Sequence, residues 1–67
     1  MSDDERATIA ALILELRKVA EPAGPLHGWW DRIGDMEAML RGEPTIVQMT
    51  PAELIEDARQ ALRRWAG

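Results

Sequence analysis

Two clusters of helix-breaking residues limit what this chain can become. The first is Pro22-Ala23-Gly24-Pro25-Leu26-His27-Gly28, with two prolines and two glycines, and the second is Gly42-Glu43-Pro44. Proline has no amide hydrogen and clashes with the preceding turn. Glycine takes the left-handed conformation that stops a helix. The breaks cut 67 residues into three stretches, each long enough for a helix and none long enough for a second domain.

The first stretch reads as a helix over about 3–21. Ser2 or Asp3 can cap it, and Asp3, Asp4 and Glu5 sit where the helix dipole favours negative charge. Ile9, Leu12, Ile13, Leu16, Val19 and Ala20 follow the i, i+3, i+4, i+7 spacing and form a core face within an arc of about 120°. Leu14 lies on the far side with Ala7, Ala10 and Ala11. A leucine in a bed of alanines is how a close helix–helix contact looks, so Leu14 is a candidate partner-facing residue.

The second stretch predicts a helix over about 28–41, with Pro25 as an alternative first residue. Trp29, Ile33, Met36, Met39 and Leu40 share a face, with Trp30 on its flank about 100° from Trp29. Gly34 inside this helix is either tolerated or makes room for a close approach. Residues 45–49, Thr-Ile-Val-Gln-Met, are the β-favouring run of the chain. The expectation is an extended connector whose Ile46, Val47 or Met49 plugs the bottom of the core, with a strand pairing to its copy in a dimer as the alternative. The third helix, 51–66, has the clearest start. Thr50 caps, Pro51 takes the first turn, and Glu53 reaches back to the cap amide. Leu54, Ile55, Ala58, Ala61, Leu62 and Trp65 then form one stripe.

The chain has no Phe and no Tyr, so its three tryptophans supply all aromatic bulk. Trp65 and one of Trp29 and Trp30 are expected in the core, and the other is expected partly exposed with Leu26, Met36 or Met39. Tryptophan is frequent at interface hot spots, and methionine suits adaptable surfaces. A domain this small buries about 60% of the surface its unfolded chain exposes and needs help from disulfides, metals or association. With no Cys and one His, association is what remains.

The fold expected is therefore all-α: a small dimeric three-helix domain over 1–67 with an extended connector between helices 2 and 3. Its core is Ile9, Leu12, Ile13, Leu16, Trp29, Ile33, Leu40, Leu54, Ala58, Leu62 and Trp65. No run is long and apolar enough to span a membrane. The absence of Cys and the acidic start, Met-Ser-Asp-Asp-Glu-Arg, point to a cytoplasmic protein rather than a secreted one.

Chemistry-bearing residues are sparse. His27 titrates near neutrality but stands in a Pro/Gly turn, where a hydrogen bond to a local carbonyl accounts for it. Asp31, Asp35 and Glu37 lack the central glycine of a calcium loop, and Gly42 stands where its bidentate Glu belongs, so a solvated helix face is the reading. Helices 2 and 3 are joined by a connector far longer than a helix-turn-helix uses. Glu53, Glu56 and Asp57 occupy the turn that would meet DNA. The net charge of −4, from twelve Asp and Glu against eight Lys and Arg, also opposes phosphate binding.

No catalytic, cofactor-binding or metal-binding residue is assigned, and no small-molecule substrate is expected. The function expected is a non-catalytic protein–protein interaction module, self-associating, acting as a small adaptor or regulator. Its partner-binding candidates are Leu14, Leu26, Trp30, Met36 and Met39. One alternative is an acidic inhibitor, of the kind mobile elements encode, that fills a basic nucleic-acid groove on a larger machine. Another is a dimeric nucleic-acid-binding regulator using Arg59, Arg63 and Arg64.

Overall fold

The computed structural model describes residues 1–25 and 28–66. Among them are three α-helices and no strand: α1 (Asp3–Ala23), α2 (Trp29–Arg41) and α3 (Pro51–Ala66). None of these helices is long and apolar enough to cross a membrane.

Each helix begins or ends where local chemistry satisfies its free backbone groups. At α1, the Ser2 hydroxyl accepts from the Glu5 amide at 3.1 Å, and the Glu5 carboxylate accepts from the Ser2 amide at 3.0 Å. At α3, Thr50 and Glu53 repeat the arrangement, at 3.2 Å and 2.9 Å. At the end of α2, Gly42 adopts φ 72°, which lets its amide reach the Met39 carbonyl at 3.2 Å and the Glu43 amide reach that of Ala38 at 2.8 Å.

α1 runs past its expected end near Glu21, taking in Pro22 and stopping at Ala23. Pro22 and Lys18 are both exposed, so the Lys18 carbonyl that loses its donor can turn to water. Gly24 then stops the helix at φ 82°, its amide donating to Ala20 at 3.0 Å. α2 starts at Trp29, one residue later than expected, after Gly28 at φ 73°.

The core draws on all three helices. α1 gives Ile9, Leu12, Ile13, Leu16 and Ala20; α2 gives Trp29, Ile33 and Met36; α3 gives Leu54, Ile55, Ala58 and Ala61. Truncating a buried Leu or Ile to Ala costs about 2–5 kcal/mol. That approaches the whole stability of about 3–5 kcal/mol that so small a core supplies, so no large member is dispensable. α1 packs against both other helices, most extensively against α2, whereas α2 and α3 touch little.

Two core expectations need correction. Trp65 is 49% exposed, because it lies in the last helical turn and covers the edge of the core, its ring set edge-on to Trp29 at 5.6 Å and 85°. Leu40 and Leu62 are partly buried and pack against the core from its rim. Of the three connector residues that were alternatives for closing the core, Met49 takes that place and packs against it, while Ile46 and Val47 are exposed.

Hydrogen bonds from Ser2 and Thr50 favour the charged carboxylates of Glu5 and Glu53 and hold both below their ordinary value of 4.5. A carboxylate whose pKa falls on folding stabilises the fold above its unfolded pKa, and that gain disappears as pH drops through the folded one. We expect the urea midpoint to fall as pH is lowered below 4.5. In Glu5→Gln/Glu53→Gln the part of that fall due to these caps should vanish.

Candidate interaction site

Apolar side chains reach the surface at three places. On the outer face of α1, Leu14 is 61% exposed and its neighbours Ala7, Ala10 and Ala11 are exposed with it. These four share a side because the core face of α1 is taken by the periodic set from Ile9 to Ala20. On α2, Trp30 is 43% exposed, and Gly34, one turn on, is exposed too. A Cβ at Gly34 would meet nothing within 4 Å, so no group of the described structure approaches it.

The third place is the connector. Asp35 lies on α2 yet is buried, and its Oδ1 accepts from the Ile46 amide at 3.0 Å. The Thr45 hydroxyl donates to the Val47 carbonyl at 2.6 Å. These two bonds fix a turn that turns Ile46 outward, 88% exposed, with Val47 half-exposed beside it. The expectation of a solvated Asp35 is thus wrong. Its backbone partner comes from a loop eleven residues downstream, which helical periodicity cannot reveal.

Beneath this turn lies a groove of about 290 Å³, with Val47, Met49 and Leu54 on its apolar side and Asp31 and the Arg32–Asp57 ion pair on its polar side. Arg32 Nε donates to Asp57 Oδ2 at 2.8 Å, with both side chains about 29% exposed. The same guanidinium stands over the Trp29 ring, 5.7 Å from its centroid. It therefore ties α2 to α3 where direct packing is slight.

The partner-binding candidates do not converge. Leu14 and Trp30 are exposed on different helices. Met36 is fully buried and cannot face a partner. It follows Trp29 and Ile33 at i+7 and i+3, the middle of the α2 core face, where its unbranched chain fills space. Met39 is partly buried against the core. Leu26 and His27 lie outside the described residues. Sequence reading missed Ile46 as a surface residue because an isoleucine in a β-favouring run carries no sign of exposure.

Most charges named as functional are engaged inside the molecule. Glu37 pairs with Arg17 at 3.0 Å, Arg63 with Glu56 at 3.2 Å, and Arg41 with Glu43. Arg6 donates to the Leu40 carbonyl at 3.1 Å, and Arg64 to that of Gln60 at 3.4 Å. Among the described residues no group of three or more His, Cys, Asp or Glu could hold a metal ion.

No family model, curated protein or solved structure matches this chain.

Asp35→Ala removes the acceptor of the Ile46 amide, and losing such a buried partner costs about 1–3 kcal/mol. We expect a lower urea midpoint together with faster hydrogen exchange at the Ile46 amide. Asp35→Asn keeps a carbonyl acceptor and should recover most of both.

Proposed function

We propose that the protein is a non-catalytic interaction module that self-associates through the outer face of α1 and acts as a small adaptor or regulator. The observation that carries this reading is the exposed Leu14 among exposed Ala7, Ala10 and Ala11. Small side chains let two helices approach closely, and a leucine between them supplies the apolar area that water otherwise covers.

The order of residues along this face favours a second copy as the occupant. In an antiparallel pair of α1 helices crossing at Ala10 and Ala11, Leu14 of each copy lies over Ala7 of the other. The same register sets Asp3 and Asp4 of one copy opposite Lys18 of the other. Lys18 has its side chain 74% exposed and a weak ion pair with Glu15 at 3.8 Å. Such an isologous contact satisfies both copies at once and closes as a dimer. Association also answers the need of a small core, since binding that occurs only in the folded state adds to its stability. The lack of cysteine suits a cytoplasmic setting.

The two charge-based readings have less behind them. An acidic inhibitor needs carboxylates free to face a basic groove, whereas Asp35, Glu37 and Asp57 bond within the molecule. A nucleic-acid regulator would use Arg59, Arg63 and Arg64, of which Arg63 is paired with Glu56 on the same helix, and the net charge of −4 opposes phosphate binding.

Sedimentation velocity decides the matter. We expect a dimer at micromolar concentration, a monomer for Leu14→Glu with unchanged helicity, a weakened dimer for Lys18→Asp, and recovery of that loss when Asp3→Lys and Asp4→Lys are added to Lys18→Asp. A wild-type protein that stays monomeric up to about 100 μM, or a Leu14→Glu variant that dimerises as well as wild type, would overturn the reading; association that weak, at about 5 kcal/mol, does not define a module.

A further inference from the structure

The groove beneath the connector turn is walled by α2, the connector and α3, and takes no residue from α1. Asp31, Asp35 and Asp57 line it against a single cation, Arg32. Arg32 is committed to Asp57 at 2.8 Å, so those two charges offset each other. Asp31, exposed in the first turn of α2, has no ion pair or hydrogen bond among the described residues. Asp35, one helical turn on, accepts from the neutral Ile46 amide and forms no ion pair among the described residues.

Two unbalanced negative charges thus stand one turn apart on α2, along a groove whose other side, Val47, Met49 and Leu54, is apolar. That combination asks for a cation with a hydrocarbon body. A metal ion does not meet it, since among the described residues no three His, Cys, Asp or Glu are placed to hold one. The volume of about 290 Å³ lies at the lower bound of small-molecule pockets, about 300–1,000 Å³, and suits one long side chain.

We propose that this groove receives a lysine side chain of a partner protein, its methylene stem along Val47, Met49 and Leu54 and its ammonium against Asp31. Lysine carries its charge on an unbranched stem that covers apolar surface, and its compact ammonium suits a lone carboxylate. The exposed Ile46, next in the chain to Val47, assigns that lysine to a protein segment. A free amine would leave Ile46 in water, whereas apolar residues flanking a lysine cover it. Because α1 takes no part, the site does not depend on self-association.

The test follows the backbone amide signals of the ¹⁵N-labelled full chain by nuclear magnetic resonance. The probes are a blocked Leu-Lys-Leu peptide, the same peptide with norleucine in place of lysine, and pentylamine. We expect saturable shifts at Asp31 and at residues 46–49 with the lysine peptide, diminished by added sodium chloride. Both other probes should bind more weakly. Asp31→Asn should weaken the lysine peptide about fivefold, the loss of roughly one exposed ion pair. Asp4→Asn, in the first turns of α1 whose Arg6 contacts the far end of α2 at Leu40, should leave it unchanged. Ile46→Ser should weaken the peptide but not pentylamine. Asp31 is exposed, so its variant should keep the wild-type melting curve. A lysine peptide that fails to saturate, a norleucine peptide that binds as tightly, or an Asp31→Asn variant that binds like wild type overturns the proposal. So do equal losses for Asp31→Asn and Asp4→Asn, which mark diffuse charge attraction, and pentylamine binding as tightly as the peptide, which marks a site for a free amine.

Discussion

The buried indole of Trp29 is the joint on which the three helices turn. α2 and α3 share little direct packing, yet both must sit on α1 to close the core. Trp29 fills the space between them and is clasped from above by Arg32 and at its edge by Trp65. An edge-to-face aromatic pair adds about 0.5–1.5 kcal/mol beyond area burial, and a partly covered cation–π contact about 0.5–1 kcal/mol or more. In a domain whose total is of that small order, one side chain and its two neighbours decide whether α3 stays docked. The Arg32–Asp57 pair works at the same junction, so aromatic, cationic and ionic contacts are concentrated where apolar contact is thin.

Local signals in the sequence were enough for the helices and most of the core. Ser2 with Glu5, Thr50 with Glu53, and Gly42 announce helix ends through chemistry that spans a few residues, and each behaves as its residue type demands. The apolar spacing of α1 placed Ile9, Leu12, Ile13 and Leu16 correctly because a single helix against two neighbours has one unambiguous buried face. What failed depended on contacts between distant segments. Asp35 is buried because Ile46 comes back to it, and Met36 is a fully buried member of the shared core. Trp65 fits the apolar stripe of α3 but lies in its last turn, half-exposed at the edge of the core. Of the candidate surface residues, the outward position of Leu14 was legible, whereas adjacent Trp29 and Trp30 are too alike for helical spacing alone to say which is buried. The buried Trp29 indole N–H, without an acceptor among the described residues, was not legible either, since whether a group finds a partner is a property of assembled structure.

The charges tell a similar story about restraint. The chain is acidic overall, and five of its twelve acidic side chains cap a helix, pin a turn or bridge two helices: Glu5, Glu53, Asp35, Glu37 and Asp57. Surface pairs of this kind contribute little each.

The uneven distribution of packing also shapes how the molecule breathes. α1 and α2 share the largest interface, whereas α3 is joined through a narrower contact with α1 and the cluster around Trp29. Parts of a protein with fewer buried contacts open at lower free energy than the whole. Excursions in which α3 lifts away while the α1–α2 hairpin persists are thus the cheapest large motion available. Each one uncovers Leu54, Ile55 and the Trp29 ring together.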